Sequence, residues 1–316
     1  MASWSVSRLG KILVVRGGGV GDVLLTMPVL HAIKNACDGL TFVAPGPLAR
    51  LAKEAGLADT WHALDGRKWV ELFTLGGRNT LEPILSEMDF VISYLSDPDG
   101  VFAANCRGLS EARMIQGPYR PEGAHMGDRL MEPLKKLGLE PSAARLRFPT
   151  PELLDGIWVA AHPGSGSERK NWSEDHWREL LESMMTETDW KILLVGGEAE
   201  LGRIGRLAEG FSADRVRCEE IKPLWELGGL FQSCSVFVGV DSGIRHLAEA
   251  VGLPGVVIWG PSNINEWGPR RDDWRVLTGL VETRADRVLA VLKEAVSESN
   301  AGTIYHRHHH GRVSLS

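Results

Sequence analysis

Three glycine-rich stretches of the sequence carry side chains able to handle protons or phosphates, and Asp22 is the acid in the first of them. It sits near the end of RGGGVGDV, Arg16 to Val23. A glycine turn between a strand and a helix lets a ligand approach the backbone closely, and the helix N-terminus favours negative charge. The G-x-G-x-x-G dinucleotide fingerprint fails here, since counting from Gly17 the third glycine falls at Asp22. An acid at this turn would also repel a pyrophosphate, so this stretch is expected to bind something other than a nucleotide. Asp22 therefore has two readings at this point, a first-turn acid that stabilises its helix or a proton acceptor.

The second stretch is HPGSGSERKNW, His162 to Trp172. Gly164, Ser165, Gly166 and Ser167 offer backbone N–H groups and hydroxyls, and Lys170 adds a mobile cation, a set suited to a diphosphate. A serine-nucleophile elbow built on Ser165 does not fit, because Pro163 occupies its first glycine position. Trp172 and Trp177 read as packing residues. The third stretch, VGVDSGIRHLAEAVGLP, Val238 to Pro254, ends a strand in Asp241, Ser242 and Gly243 and opens a helix. This again sets N–H groups and a hydroxyl at the carboxyl edge of a sheet, where α/β proteins bind ligands. His246, one helical turn beyond Ser242, either reaches the same anion or packs as a buried imidazole.

The elements needed to position these stretches are legible as short apolar runs. Lys11–Arg16, Leu40–Ala44 and Phe90–Leu95 read as buried parallel strands separated by helical patterns. The first helix keeps Val23, Met27, Leu30 and Ile33 on one face, with Pro28 as its discordant residue. The same grammar restarts at Gly156–Ala161, after the proline-bearing stretch 148–151 that reads as a linker, and continues through Lys191–Val195, Ser235–Val240 and Gly255–Trp259. Two Rossmann-like α/β domains are expected, residues 1–150 and 151–298. A last helix over Val288–Val296 and a disordered polar tail over 299–316 complete the reading, with His306, His308, His309 and His310 placed outside the site.

Composition narrows the function classes. Lys and Arg outnumber Asp and Glu by 17 to 16 up to Thr150, and are outnumbered 18 to 25 afterwards, so the net charge of −6 divides as +1 and −7. A nucleic-acid binder would show a concentrated basic face, and none is present. Cys37, Cys106, Cys218 and Cys234 are widely spaced, which suggests reduced thiols and neither a zinc site nor a disulfide framework. No apolar run approaches the ~18 to 20 residues of a membrane span, and the first ten residues lack the pattern of a secretory signal. A cytoplasmic placement is the expectation.

In order and spacing, these motifs resemble glycosyltransferase family 9, the ADP-heptose:lipopolysaccharide heptosyltransferases. The resemblance covers roughly Lys11 to Pro269 and rests on KILVVRGGGVGDVLLTMPVLHAIK, HPGSGSERKNW and GVDSGIRHLAEAVGLPGVVIWGP, with His125, Asp128 and Arg129 matching a further pattern. It implies a GT-B fold of two Rossmann-like domains with an interdomain cleft, the acceptor on the first and an ADP-sugar on the second. By position Asp22 matches the general base of an inverting displacement. Lys170, Ser165, Asp241, Ser242, Gly243 and His246 match donor-binding positions, joined by Gly164 and, for the donor ribose, by Glu200. The leaving diphosphate is then neutralised without a divalent metal or other cofactor. Arg16, Gly18, Gly19 and Arg120 are the candidate contacts for a glycan or lipid-linked glycan acceptor, and a lipid-linked acceptor would bring the chain to the inner face of the inner membrane.

The sequence departs from the family's usual pattern at three places. Gly17 and Gly18 stand where two serines are common, Ser93 stands near a usual aspartate, and Arg245 replaces a smaller or apolar residue. A nucleotide-sugar epimerase on the same fold and a non-catalytic nucleotide-sugar-binding homologue are the alternative readings.

Overall fold

A computed structural model of the chain describes residues 8–74, 80–140 and 145–309, with side chains to Ser299. It divides into two compact units, the first running to Leu146 together with Asn265–Trp267, the second comprising Arg147–Ile264 and the residues from Gly268 onward.

In the first unit the order is β1 (Lys11–Arg16), α1 (Val20–Ala36), β2 (Gly39–Ala44), α2 (Gly46–Glu54), β3 (Thr60–Ala63), α3 (Arg67–Val70), α4 (Glu82–Leu85), β4 (Phe90–Tyr94), α5 (Val101–Leu109), β5 (Arg113–Gln116) and α6 (Met126–Lys135). The five strands are parallel in the order β3-β2-β1-β4-β5. In β1, Ile12, Leu13, Val14 and Val15 have no exposed surface, as a central strand covered on both faces requires. Leu13 and Val15 join Val43, Val91, Leu95 and Phe102 in a core on one side of the sheet. Helix α1 runs through Pro28 without interruption.

The remaining elements, in chain order, are β6 (Trp158–His162), α7 (Glu174–Glu187), β7 (Lys191–Gly196), α8 (Arg203–Ala208), β8 (Val216–Glu220), α9 (Leu224–Phe231), β9 (Val236–Val240), α10 (Gly243–Ala250), β10 (Gly255–Trp259), α11 (Ile264–Trp267), β11 (Trp274–Thr278) and α12 (Ala285–His309). Their six strands form one parallel sheet, β11-β10-β9-β6-β7-β8. Trp172 and Trp177 are packing residues: their rings meet edge-on at 5.3 Å. They sit in a core with Leu180, Leu292 and Val296. The Trp172 indole N–H donates to the Thr283 carbonyl at 3.0 Å.

Two expectations change. The proline-bearing stretch after Arg147, which reads as a linker, is tied to the second unit. Gln232 accepts the Phe148 N–H at 3.2 Å and donates to the Phe148 carbonyl at 2.8 Å, and the Phe148 ring lies where a Cβ on Gly228 would come within 2.6 Å of it. The last helix is also longer than expected, since α12 begins at Ala285 and its backbone continues to His309. The backbone of residues 299–309, which polarity alone assigned to the tail, lies within this helix. The side chains of the histidine cluster, and residues 310–316 altogether, lie outside the described residues.

In each sheet the chain first builds outward from the opening strand and then crosses over to its other side. The reversal falls between β1 and β4 in one unit and between β6 and β9 in the other. Ligands of open α/β sheets bind outside the carboxyl ends of the strands at such a reversal.

Candidate functional site

At the reversal of the first sheet, Arg16 is the last residue of β1 and is paired in register with Tyr94, the last residue of β4. The chain then turns through Gly17, Gly18 and Gly19 into α1, whose first turn carries Asp22. The Asp22 carboxylate accepts the Gly19 N–H through Oδ2 at 3.0 Å and Arg16 Nη2 through Oδ1 at 2.7 Å. Its side chain keeps 29% of its surface, whereas Arg16 keeps 2%. Both readings of Asp22 are thus served by one geometry, a helix-capping acid whose carboxylate still reaches solvent.

Arg16 was expected to be available to an acceptor. The structure turns it inward instead, with Nη1 donating to the Tyr94 carbonyl at 3.2 Å as well as Nη2 to Asp22. A buried guanidinium needs acceptors for its donors, and here they are internal. Gly18 has φ +94°, and a Cβ there would lie 2.5 Å from Asp22 Oδ2. The departure from serine at this position therefore has a physical cause, a left-handed turn pressed against the carboxylate. Gly19 has open space around it and contributes its N–H to Asp22. Ser93 is buried, its hydroxyl accepting the Leu95 N–H at 3.3 Å. Arg120 is exposed and lies over the Tyr119 ring at 5.3 Å, away from this cluster's hydrogen bonds.

At the reversal of the second sheet, Lys170 and Asp241 meet across 71 residues of sequence, Nζ to Oδ2 at 2.8 Å. The lysine side chain is 34% exposed and the aspartate 6%. Asp241, expected to touch the donor, is thereby committed to holding the cation. Ser242 caps α10 by accepting the Arg245 N–H at 3.3 Å, which leaves its hydroxyl proton to donate, and Gly243 opens the helix beside it. Gly260, after β10, packs near the Lys170 backbone, where a Cβ would stand 3.6 Å from the Lys170 Cα.

On the other side of β6, Glu200 is 4% exposed and its carboxylate accepts the Gly197 N–H at 2.9 Å. A Cβ on Gly164 would fall 2.2 Å from Glu200 Oε1, so these two candidates are in contact and the glycine is required for the approach. His162, beneath them, is buried with Nδ1 3.0 Å from the Val195 carbonyl. Burial holds its imidazole below the ordinary histidine range, against the opposing pull of the Glu200 carboxylate.

Two candidates are placed differently from the expectation. Ser165 is buried, and its hydroxyl faces the Ser167 carbonyl at 2.8 Å and Asn171 Oδ1 at 3.1 Å while accepting the Ser167 N–H. It builds the loop instead of presenting a hydroxyl to a phosphate. His246 is also buried, and its Nε2 accepts from Arg245 Nη2 at 2.6 Å, so that nitrogen is not a donor to an anion. Arg245 in turn pairs with Glu249 at 2.7 Å, and Glu249 accepts the Arg270 N–H through its other oxygen. Burial lowers the Arg245 guanidinium from its usual range, opposed by the Glu249 and Asp241 carboxylates.

Sequence reasoning assigned no role to Asn171, Glu249 or the Tyr94 carbonyl. Glu249 could have been found from its four-residue spacing to Arg245 on one helix. The other two depend on loop and sheet contacts that carry no spacing signal.

The model of glycosyltransferase family 9 (heptosyltransferase) matches residues 132–289. Lipopolysaccharide heptosyltransferase 1 of Pseudomonas aeruginosa is 38% identical over 303 aligned residues, covering 80% of this chain and 79% of the relative. The chain belongs to glycosyltransferase family 9. Lipopolysaccharide heptosyltransferase 1 of Escherichia coli K12 is 34% identical over 301 residues, covering 80% of the chain and 88% of the relative. Among solved structures, a family 9 glycosyltransferase from Veillonella parvula has a TM-score of 0.74 at 18% identity, covering 92% of this chain and 98% of its own. E. coli heptosyltransferase WaaC with ADP has a TM-score of 0.71 at 21% identity, covering 90% and 99%. At these identities the structural likeness carries the fold, which is that of the GT-B enzymes, with two parallel-sheet α/β units. The family 9 chain is accordingly a glycosyltransferase.

Proposed function

We propose that the chain transfers a heptose, or a closely related sugar, from an ADP-linked donor to a lipopolysaccharide-core acceptor, by inverting displacement and without a divalent metal. Asp22 takes the proton from the acceptor hydroxyl as that oxygen attacks the anomeric carbon, and the bond to the diphosphate breaks. Lys170, the Ser242 hydroxyl and the N-terminus of α10 neutralise the departing ADP, with Gly164 and Glu200 contacting the donor beside them. The observation that carries this reading is the pairing of Lys170 with Asp241 at the reversal of the second sheet, which holds a partly exposed cation beside a helix N-terminus. Kinship with curated lipopolysaccharide heptosyltransferases supports the donor sugar and the acceptor class.

No helix among the described residues is long and apolar enough to cross a membrane. A cytoplasmic enzyme that meets a lipid-linked acceptor at the inner face of the inner membrane fits the proposed reaction.

The test is a transfer assay with ADP-heptose and a lipopolysaccharide-core acceptor, run beside calorimetric titration with ADP. Asp22→Asn is expected to lower turnover by about 100-fold or more while ADP affinity stays unchanged. Lys170→Ala is expected to weaken ADP binding by roughly 10- to 100-fold. Magnesium and EDTA should leave both affinity and rate as they are. Turnover retained by Asp22→Asn removes the general-base role, and turnover abolished by EDTA removes the metal-free mechanism.

A further inference from the structure

Arg16 is among the largest fully buried side chains of the molecule, and its position is unusual for a cation. It closes β1, with no solvent to satisfy it, at the one place in the first sheet where the strand order reverses. Each face of the guanidinium fork meets a different acceptor. Nη1 donates to the Tyr94 carbonyl on β4 at 3.2 Å, Nη2 to Asp22 Oδ1 at 2.7 Å, and Nε approaches the Asp22 carbonyl at 3.4 Å. The Thr26 hydroxyl donates to that same carbonyl at 2.9 Å, and the Gly19 N–H holds the other carboxylate oxygen.

Capping α1 requires only the Gly19 contact, which Asp22 supplies by itself. A buried arginine is a costly addition to a cap, because taking a guanidinium out of water carries a desolvation penalty that internal acceptors must offset. What the arginine adds is orientation. A carboxylate held at both oxygens, by a backbone N–H on one and a guanidinium anchored to the neighbouring strand on the other, is restrained about its side-chain bonds. The planar fork is suited to this, since its nitrogens point in fixed, different directions, whereas a lysine has a single nitrogen on a flexible stem.

We propose that Arg16 is a positioning residue: locked to the Tyr94 carbonyl at the β1/β4 reversal, it holds the Asp22 carboxylate in the orientation from which the acceptor proton is taken. The inference rests on the reading of Asp22 as the base, and replaces the expectation that Arg16 contacts the acceptor directly.

The experiment compares the full chain with its Arg16→Met, Arg16→Lys and Asp22→Asn variants, measuring kcat and both KM values with ADP-heptose and a lipopolysaccharide-core acceptor. ADP titration and thermal melting check that each variant is folded. Arg16→Met is expected to lose about 100-fold in kcat, the scale of a misplaced catalytic group. Its acceptor KM and ADP affinity should stay within about twofold of the parent. Arg16→Lys keeps a charge but not the planar fork and should recover only part of kcat. An Arg16→Met protein that binds ADP and retains the parent kcat overturns the proposal, as does a loss confined to the acceptor KM. If Arg16→Met does not fold, Arg16→Lys decides, because an unchanged kcat there overturns positioning and a lowered kcat with unchanged KM supports it. Asp22→Asn separates the two levels of inference. Full activity in that variant fails the base reading and the positioning role with it, whereas an inactive Asp22→Asn beside fully active Arg16 variants fails positioning alone.

Discussion

At Gly18 a single methyl group would decide the fate of the turn. The residue combines φ +94° with a Cβ position 2.5 Å from Asp22 Oδ2, so alanine there meets a conformational cost of about 1–2 kcal/mol and a direct collision. Gly18→Ala is expected to reduce kcat at least tenfold with ADP affinity unchanged, measured by transfer assay and titration, because the carboxylate must move. Alanine at Gly19, which has nothing within 4 Å of its Cβ position, is the matched control and should keep most of the activity. The glycines were visible in the sequence as a cluster. Which of them is indispensable was not, since that depends on where the Asp22 side chain comes to rest.

Elements show the same division between the legible and the hidden. The strands found by their apolar runs are β1, β2, β4, β6, β7, β9 and β10, all interior to their sheets. The four that went unnoticed, β3, β5, β8 and β11, are the four sheet edges. An edge strand is covered less completely, so its residues need not be apolar: Thr60 and Trp61 of β3 and both ends of β5 are exposed, and β8 carries Arg217, Glu219 and Glu220. The segment after Arg147 is a second case, where prolines suggested a linker and the Gln232 side chain makes a clamp. Gln232→Ala should destabilise the second unit by about 1–3 kcal/mol, the worth of two hydrogen bonds, while leaving transfer at permissive temperature unaffected. Chemical denaturation checks this, and an unchanged midpoint would show that the Phe148 contacts alone hold the segment.

For the molecule as a whole, buried charge sets how stability responds to pH. Burial lowers the proton affinity of His162 in the folded chain, while in the unfolded chain it binds a proton near the ordinary value of about 6.5. Below that pH the unfolded state therefore holds the extra proton, and stability falls as the pH falls. Denaturation of the parent chain and of His162→Asn between pH 7.5 and 5.5 measures the effect. The parent should lose more stability over that interval than the variant, and equal losses would assign the slope to other groups. The four thiols are free, and burial pushes Cys106 and Cys234 up to about 12, so neither is ionised at neutral pH.

What the sequence determined by itself was local: runs of buried β-branched residues at fixed intervals, glycine turns after them, and an acid or a lysine in each turn. Those features follow from backbone sterics and from the burial of central strands on both faces, which act over a few residues and leave a mark in the order of types. Tertiary structure decided the partners. Lys170 finds Asp241 across 71 residues, Glu200 settles on Gly164, and Arg16 turns from solvent to Tyr94 and Asp22, because strand order brings their elements to the same edge of a sheet. A sequence records which side chains could bind a proton or a phosphate, but whether a charge faces a ligand or another charge is settled by distance and burial, and those exist only once the sheets have formed.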